Sequence, residues 1–236
     1  MISLSKAIQY AGKFVGRDTA RPIFNYVLLK GGEVVGCDTR SVIRCKVNGV
    51  HEPRLISIKG AEIVSEPANY PDVGKFFRVQ ESISTHVVFT GDNTSIKERF
   101  KKLAVIFDTC KKLTPKKEMH NVCLRTKGDE LLIFSGEDGE LVFFEHSVSD
   151  VEGEPINCFF NADYLSKVCK VIAEAAPYKV TMHFFTNRTV LIQAGSIEFF
   201  ICGIFSNGTD WLSQRVKKYS EAEKVIEEDS DLSFLD

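Results

Sequence analysis

The sequence predicts an α+β fold in which a large antiparallel sheet carries helices on one face. The order helix, three strands, strand, helix, three strands is visible once in full, from about residue 95 to 205, and once incompletely, from 1 to about 78. The strands follow one another through short turns, whereas a parallel sheet would need a helix between successive strands. Hydrophobic residues make up 44% and charged residues 26%, which is typical of a globular protein.

The first helix is predicted over residues 3–17, where apolar residues recur at intervals of three and four positions. Ser3 or Ser5 is its expected N-cap. A short strand and a short helix are expected within 54–66, and 67–74 is a connecting segment with two prolines and a glycine. Strands are expected over 23–30, 33–37 and 42–47.

The same order of elements returns in the second half of the chain. Helices are predicted over 95–113, capped by Asn93, Thr94 or Ser95, and over 162–176, capped by Asn161 and ended by Pro177. The predicted strands are 87–90, 121–126, 130–135, 140–147, 156–160, 179–185, 188–193 and 196–205.

Three segments follow from this reading: a shortened domain over 1–78, a full domain over 79–206 and a tail over 207–236. A helix in the tail is expected to start at Thr209 or Asp210. The tail ends in an acidic stretch that carries Leu232, Phe234 and Leu235. That stretch is either a frayed terminus or a short peptide that docks in an apolar pocket.

The sequence lacks the motifs of the common enzyme classes. It contains no GxxxxGK[ST], GxGxxG, HExxH or GxSxG pattern, and its five histidines are scattered. We therefore expect no catalytic residues, no metal and no cofactor. Seven scattered cysteines without CxxC spacing indicate reduced thiols, and no signal peptide or spanning segment is evident, so a cytoplasmic protein with no membrane partner is expected.

Charge is distributed unevenly along the chain. The net charge is −2, but residues 207–236 hold 4 basic and 8 acidic residues, which leaves 26 basic against 24 acidic in residues 1–206. A body so weakly basic binds a polyanion only through concentrated patches.

Such patches are predicted on the outer faces of the helices, at about 100° per residue. The first two faces are nearly free of acidic residues, whereas Glu174 shares the third and weakens it. The basic residues are Lys6, Lys13 and Arg17, then Lys97, Lys101, Lys111 and Lys112, then Lys167 and Lys170. With few aromatics on these faces and no base-reading motif, the expected contact is with the phosphates of duplex DNA, independent of base sequence.

Several segments, in order, resemble the bacterial β-type DNA sliding clamp. They are ARPIFNYVLLKGGEVVGCDTRSVIRCKV, YPDVGKFF, SIKERFKKLAVIFDTCKK, HNVCLRTKGDELLIFSGEDGELVFFE and INCFFNADYLSKVCKVI, the last with the family's Phe-Asn-x-x-Tyr-Leu helix start. The resemblance covers about 1–78 and 85–205. It implies a DNA-clamp fold, with antiparallel sheets outside and basic helices on the inner face of a ring around DNA.

The resemblance also implies a function and partners. A clamp of this kind is a processivity factor that encircles duplex DNA and tethers a replicative DNA polymerase, with a clamp loader as a further partner. Partners dock near the last strand, where Ile201, Cys202 and Ile204 fall in this sequence. The chain has fewer than two full domains, so a small divergent, phage-encoded member that forms a homotrimer is expected.

Two other interpretations stay open. The chain is alternatively a clamp-fold DNA-binding subunit that does not encircle DNA, or a regulator that binds a clamp through its C-terminal LSFL peptide. That peptide is similar to the Leu/Phe peptides of clamp partners.

Overall fold

A computed structural model describes residues 2–16, 20–49, 52–57, 63–64, 70–78, 83–113, 120–137, 140–186, 188–205 and 211–232. The helices are α1 (Leu4–Gly12), α2 (Asn93–Leu113), α3 (Ala162–Ala175) and α4 (Trp211–Leu232). The strands are β1 (Tyr26–Lys30), β2 (Glu33–Cys37), β3 (Ser41–Lys46), β4 (Arg54–Ser57), β5 (Ile63–Val64), β6 (Ile83–Thr90), β7 (Asn121–Lys127), β8 (Glu130–Glu137), β9 (Glu140–Ser147), β10 (Asp150–Gly153), β11 (Asn157–Asn161), β12 (Lys179–Phe185), β13 (Thr189–Ala194) and β14 (Ile197–Cys202). Short 3₁₀ turns lie at Pro22–Asn25 and Gly74–Phe77.

The strands form two antiparallel sheets, which confirms the α+β prediction. The larger has ten strands in the order β10-β6-β12-β13-β14-β3-β2-β1-β4-β5, and the smaller has four in the order β11-β7-β8-β9. Helices α1, α2 and α3 share one core with the faces of both sheets that point toward them. The helices therefore form one layer and the sheets form the other.

Each inner helix begins a unit of one helix and three consecutive strands. Unit 1 is α1 with β1–β3, unit 2 is α2 with β7–β9, and unit 3 is α3 with β12–β14. Units 2 and 3 exchange the strands that precede their helices, because β6 pairs with β12 and β11 pairs with β7. In unit 1, β4 takes the corresponding place beside β1. The repeat expected from the sequence is thus present, and unit 1 stands without a second half.

One strand pairing joins segments 1–78 and 79–206 into a single sheet. Strand β14 pairs with β3 from Ile197 opposite Cys45 to Ile201 opposite Ser41, and we call this pairing the seam. Across it, the Nε and Nη2 atoms of Arg44 donate to Oε2 of Glu198 at 2.8 and 2.6 Å. Glu198 is only 5% exposed, so this charge-assisted pair lies in a poorly solvated site.

Helix α1 lies very close to the sheet of unit 1. Ala7, Tyr10 and Ala11 are buried on its inner face. A Cβ atom added at Gly36 of β2 would lie 2.1 Å from the carbonyl oxygen of Ala11. Glycine at this position is therefore what allows the helix backbone to reach the sheet.

Helices α1 and α3 start at predicted caps, whereas the cap predicted for α2 is wrong, because Asp92 Oδ1 accepts from the N–H of Ser95 at 2.7 Å. The first helix is also shorter than predicted. Ser3 Oγ accepts from the N–H of Lys6, and Asn161 Oδ1 accepts from the N–H of Asp163. The prediction of a helix over 3–17 is wrong at its end, because α1 stops at Gly12. The N–H of Gly16 then donates to the carbonyl of Phe24 at 2.7 Å, which ties the chain to the following turn.

Two further differences concern strands. The short helix expected within 54–66 is contradicted at Ile63–Val64, which form β5 beside β4, as suits two β-branched residues. Strand β10 had no clear sequence signal, because its Asp-Val-Glu-Gly lacks apolar alternation. It is held by pairing with β6.

Helix α4 covers the outer face of the four-stranded sheet. Leu212 and Val216 are buried there, and the ring of Tyr219 lies 5.2 Å from that of Phe134. Glu223 accepts from Arg125 at 2.9 Å and from Lys127 at 3.0 Å, which fixes the helix to β7. The predicted tail helix is confirmed, with Trp211 as its first residue. Within the ranges given above, no helix has the length and hydropathy needed to cross a membrane.

A hydrogen-bonded ladder of side chains crosses the outer face of the large sheet. Nε2 of Gln193 donates to Glu198 at 3.2 Å, so its Oε1 accepts from Nε2–H of His183 at 3.0 Å. In neutral His183 the other ring nitrogen then accepts from Nδ1–H of His86, at 2.7 Å. Burial, with His86 and Lys179 nearby, holds the pKa of His183 below its ordinary value, so the folded protein favours the neutral form of His183.

His146 of β9 lies on the inner side, beneath α2. Its Nε2 is buried and has no hydrogen-bond partner among the described residues. Burial, with Arg99 and Lys102 nearby, lowers the pKa of His146 to about 4. The folded protein therefore favours the neutral form of this imidazole.

We predict that Gly36→Ala lowers the free energy of unfolding by about 3 kcal/mol or more, because helix and sheet must separate. The control is Gly31→Ala, where φ is +58° and no atom lies within 4 Å of the added Cβ. That variant carries only the backbone penalty of about 1 kcal/mol. Urea unfolding measures both, and equal losses would contradict the close approach.

We predict that stability falls as the pH is lowered from 7 to 5. The unfolded chain binds protons at His146 and His183 with an ordinary pKa, whereas the folded chain does not, so stability is full above about pH 6.5 and is lost toward the lower folded pKa. His146→Phe should remove on the order of 1 kcal/mol of this loss. Urea unfolding at pH 7, 6 and 5 measures it, and an unchanged pH dependence would refute the assignment.

Candidate nucleic-acid interface

The three inner helices lie side by side on one face of the sheets. Helix α2 packs along α3 through a shared core that includes Phe107 and Leu165. Helix α1 reaches α3 across the seam, where Lys6 and Lys13 both pair with Glu174. The layer is therefore continuous from unit 1 to unit 2.

Positive charge in this layer is concentrated on α2. Helix α2 has six basic residues against Glu98 and Asp108, whereas α3 has two basic and two acidic residues. Helix α1 with its C-cap contributes Lys6 and Lys13 and no acidic residue. Basic residues therefore outnumber acidic ones on α1 and α2 but not on α3. The basic faces as a DNA-contacting surface stay a prediction.

Acidic side chains sit at the contacts between the helices and bind several of the predicted lysines. Asp108 of α2 accepts from Lys170 at 2.7 Å and from the hydroxyl of Ser166 at 2.8 Å. Asp163 of α3 pairs with Lys111 at 2.7 Å and lies 3.1 Å from His120 Nδ1. These lysines hold the helices together as well as adding positive charge.

The electrostatics of these pairs agree with their geometry. Burial raises the pKa of the Asp108 carboxyl, but hydrogen bonds from Lys170 and Ser166 outweigh it and hold that pKa below its ordinary value. Hydrogen bonding from Lys6 is the main reason why the pKa of Glu174 is lowered. The hydrogen bond to Asp163 raises the pKa of Lys111. Asp108, Glu174 and Lys111 therefore stay charged at neutral pH.

A second set of predicted residues is more available for a ligand. Lys97 and Lys112 are exposed, and neither has an ion-pair partner among the described residues. Among the described residues, Lys101 pairs only with Glu98 on its own helix, at 2.8 Å. Lys167 lies 5.4 Å above the ring of Tyr164. Arg17 lies outside the described residues.

The acidic contacts were missed by the sequence reading. Asp108 lies three positions before Lys111, which gives one local pairing, at 3.6 Å. Its stronger partner, Lys170, comes from a different helix, and no spacing in the sequence indicates that contact. Arg99 and Lys102 add to the charge on α2, at the side that faces His146.

An apolar groove of about 300 Å³ opens on the outer face beside the seam. The rings of Phe76 and Phe200 stack in it with centroids 4.9 Å apart. Phe185, Thr189 and Cys202 line its floor and side, and Lys75 and Arg78 give its rim a positive charge. Its aromatic content and basic rim suit an apolar peptide with acidic neighbours.

The expected docking residues near the last strand fall in three different places. Cys202 is exposed and lines the groove. Ile201 is fully buried and faces the helices, so it is a core residue and the docking assignment fails for it. Ile204 packs against the cluster beneath α4. Leu232 ends α4, while Phe234 and Leu235 lie outside the described residues.

No arrangement for metal binding is seen in the described ranges. Among them, no group of three His, Cys, Asp or Glu side chains is placed to hold a metal ion. Burial raises the pKa of Cys37 and of Cys45 to about 12, because it disfavours the thiolate.

No protein-family model and no curated protein matches the chain. Solved structures do match in fold. The DNA polymerase III beta chain of Streptococcus pneumoniae gives a TM-score of 0.70 at 15% identity, over 86% of this chain and 63% of that one. The DNA polymerase III beta subunit of Pseudomonas aeruginosa gives a TM-score of 0.66 at 16% identity, over 85% of this chain and 63% of that one. The beta subunit of Streptococcus pyogenes gives a TM-score of 0.65 at 15% identity, over 86% of this chain and 64% of that one.

The chain thus spans less than two thirds of the length of these proteins. Its three helix-and-meander units adopt the fold of the bacterial DNA polymerase III beta subunit, the sliding clamp.

Proposed function

We propose that the protein is a DNA sliding clamp, a processivity factor that encircles duplex DNA and tethers a replicative polymerase. The observation that carries the proposal is the layer of three helices whose positive excess lies on α2, backed on the other side by antiparallel sheets. Phosphates need only this kind of contact, and no base-reading element is involved. The protein has no catalytic role in the proposal.

The number of helices bears on how many chains form the ring. Nine helices from three chains, spaced about 10 Å apart, make a circle of about 14 Å radius, or about 9 Å inside the helices. A bare duplex of about 10 Å radius does not fit in it, and a hydrated duplex is wider still. Twelve helices from four chains leave a free radius of about 14 Å inside the ring of helices. We therefore favour four chains over the trimer expected from chain length.

Partner docking is proposed at the outer groove. Phe76, Phe200 and Cys202 offer apolar contacts, and Lys75 and Arg78 attract acidic residues at the edges of a peptide. A polymerase peptide rich in Leu and Phe fits this chemistry. The end of this chain, with Leu232, Phe234 and Leu235 among acidic residues, has the same composition. Tail docking on a neighbouring chain is thus part of the proposal, and a loader would open the ring.

We predict that the double variant Lys97→Glu and Lys112→Glu lowers affinity for duplex DNA about tenfold or more and reduces the salt slope by about two. Both side chains are exposed and have no ion-pair partner in the described ranges, so the fold should survive. The matched control is Lys30→Glu with Lys179→Glu, exposed lysines of the large sheet away from the helix layer. Fluorescence anisotropy at several salt concentrations measures both, and equal losses would contradict the interface.

We predict that the protein stays on nicked circular DNA after a wash at about 0.5 M salt and is lost when a restriction enzyme makes that DNA linear. Salt of this strength screens phosphate contacts, so only encirclement retains the protein. Gel filtration of DNA with labelled protein measures retention. Loss from both forms at high salt would overturn encirclement and support the non-encircling DNA-binding subunit.

A further inference from the structure

Strand β9 is an edge of the four-stranded sheet, and no other strand of the described residues pairs with its outer side. It pairs with β8 over eight residues and is terminal in the described sheet. The other terminal strands are shorter: two residues in β5, four in β10 and five in β11. The sequence of β9, ELVFFEHS, contains no proline and no lysine. Its acidic residues, Glu140 and Glu145, lie toward its two ends, so its centre lacks the charged residues and prolines that usually prevent a strand edge from pairing.

One side chain on this edge is exposed in a way that suits an interface. Phe143 is 41% exposed, although its ring lies 5.9 Å from that of Phe134 and 5.4 Å from that of Tyr219. Its neighbours Leu141, Val142 and Phe144 make the centre of β9 apolar. Pairing with another strand would bury this apolar centre and satisfy the free backbone groups.

The molecule contains a template for such a pairing. At the seam, the last strand of unit 1, β3, pairs antiparallel with the last strand of unit 3, β14. Strand β9 is the last strand of unit 2 and corresponds to β3 by its place in the repeat. Because β14 is already paired on both sides, β9 needs a strand from outside the chain.

We propose that β9 pairs antiparallel with β9 of a second copy of this chain, about a two-fold axis at Phe143. Antiparallel partners that lie opposite share one face of the sheet, so this register sets Phe143 against Phe143 of the partner subunit. It joins the two small sheets into one of eight strands. The pairing is isologous, so the assembly contains an even number of chains.

The pairing has an electrostatic consequence. The seam brings α1 beside α3, so pairing of β9 would bring the α2 helices of two copies close together. Each α2 has six basic and two acidic residues, so they repel at low salt. The dimer should therefore tighten as salt rises from about 0.05 to 0.5 M. The strand pairing itself rests on the sheet topology, and only its role in closing a ring rests on the proposed function.

The test is the native mass of the full chain, by analytical ultracentrifugation over a dilution series and without DNA. We expect a mass of two or four times 26.5 kDa, and we expect the assembly to be favoured by higher salt. In Phe143→Lys the mass should fall to half that value. The control Tyr178→Lys, at an exposed ring of similar size outside β9, should leave the mass unchanged. A mass of three chains, a monomer at every concentration and salt, or a mass indifferent to Phe143→Lys would overturn the proposal.

A second variant covers loss of stability in Phe143→Lys, since Phe143 also contacts Tyr219. Phe143→Cys should give a disulfide-linked dimer on mild oxidation, because opposite residues of an antiparallel pair have Cα atoms about 4.5–5.5 Å apart. Tyr178→Cys controls for chance cross-linking and for Cys202, the exposed native thiol of the described residues. A stable oligomer without the Phe143→Cys cross-link would show a different interface. Because DNA is absent, a failed DNA experiment leaves these results intact.

Discussion

The pairing of β3 with β14 is the constraint on which the rest of the structure depends. It turns a three-strand meander with one helix into the continuation of a sheet that already carries two helices. Arg44 and Glu198 meet across it with little solvent, and Phe77 lies 4.2 Å beneath the guanidinium. Loss of either partner would leave a buried charge, at a cost of about 3–5 kcal/mol. The groove exists because the same pairing brings segment 70–78 against Phe200.

The charges of the helix layer serve two different purposes. Asp108, Asp163 and Glu174 draw lysines into contacts between helices, and those lysines fix the spacing of the layer. Lys97 and Lys112 stay exposed, and they leave a modest positive excess. A layer with every lysine free would hold phosphates more tightly and would repel itself. A modest positive excess of this kind suits weak, mobile phosphate contacts, as the proposed ring around DNA would require.

The sequence predicted what depends on local periodicity and missed what depends on contacts between distant segments. The capped helices and the alternating strands were predictable because spacing and caps are local properties. Strand β5 and strand β10 depend on their neighbours for pairing, so their own residues carried little signal. The burial of Ile201 could have been predicted, since Ile197, Phe199 and Ile201 alternate along the strand with Glu198 and Phe200. The acidic partners of the lysines could not be predicted, because each of the strongest ion pairs joins two different helices.

An odd number of units makes unit 1 unlike the other two. Units 2 and 3 stabilise each other by exchanging β6 and β11, and α3 buries eight of its 14 residues against sheet and helix. Unit 1 has no such partner, and α1 buries three of nine. Two local devices compensate: β4 fills the place of an exchanged strand, and Gly36 lets α1 lie directly on the sheet. The extra unit continues the sheet at the seam, so the fold is built from single helix-and-meander units and not from whole domains.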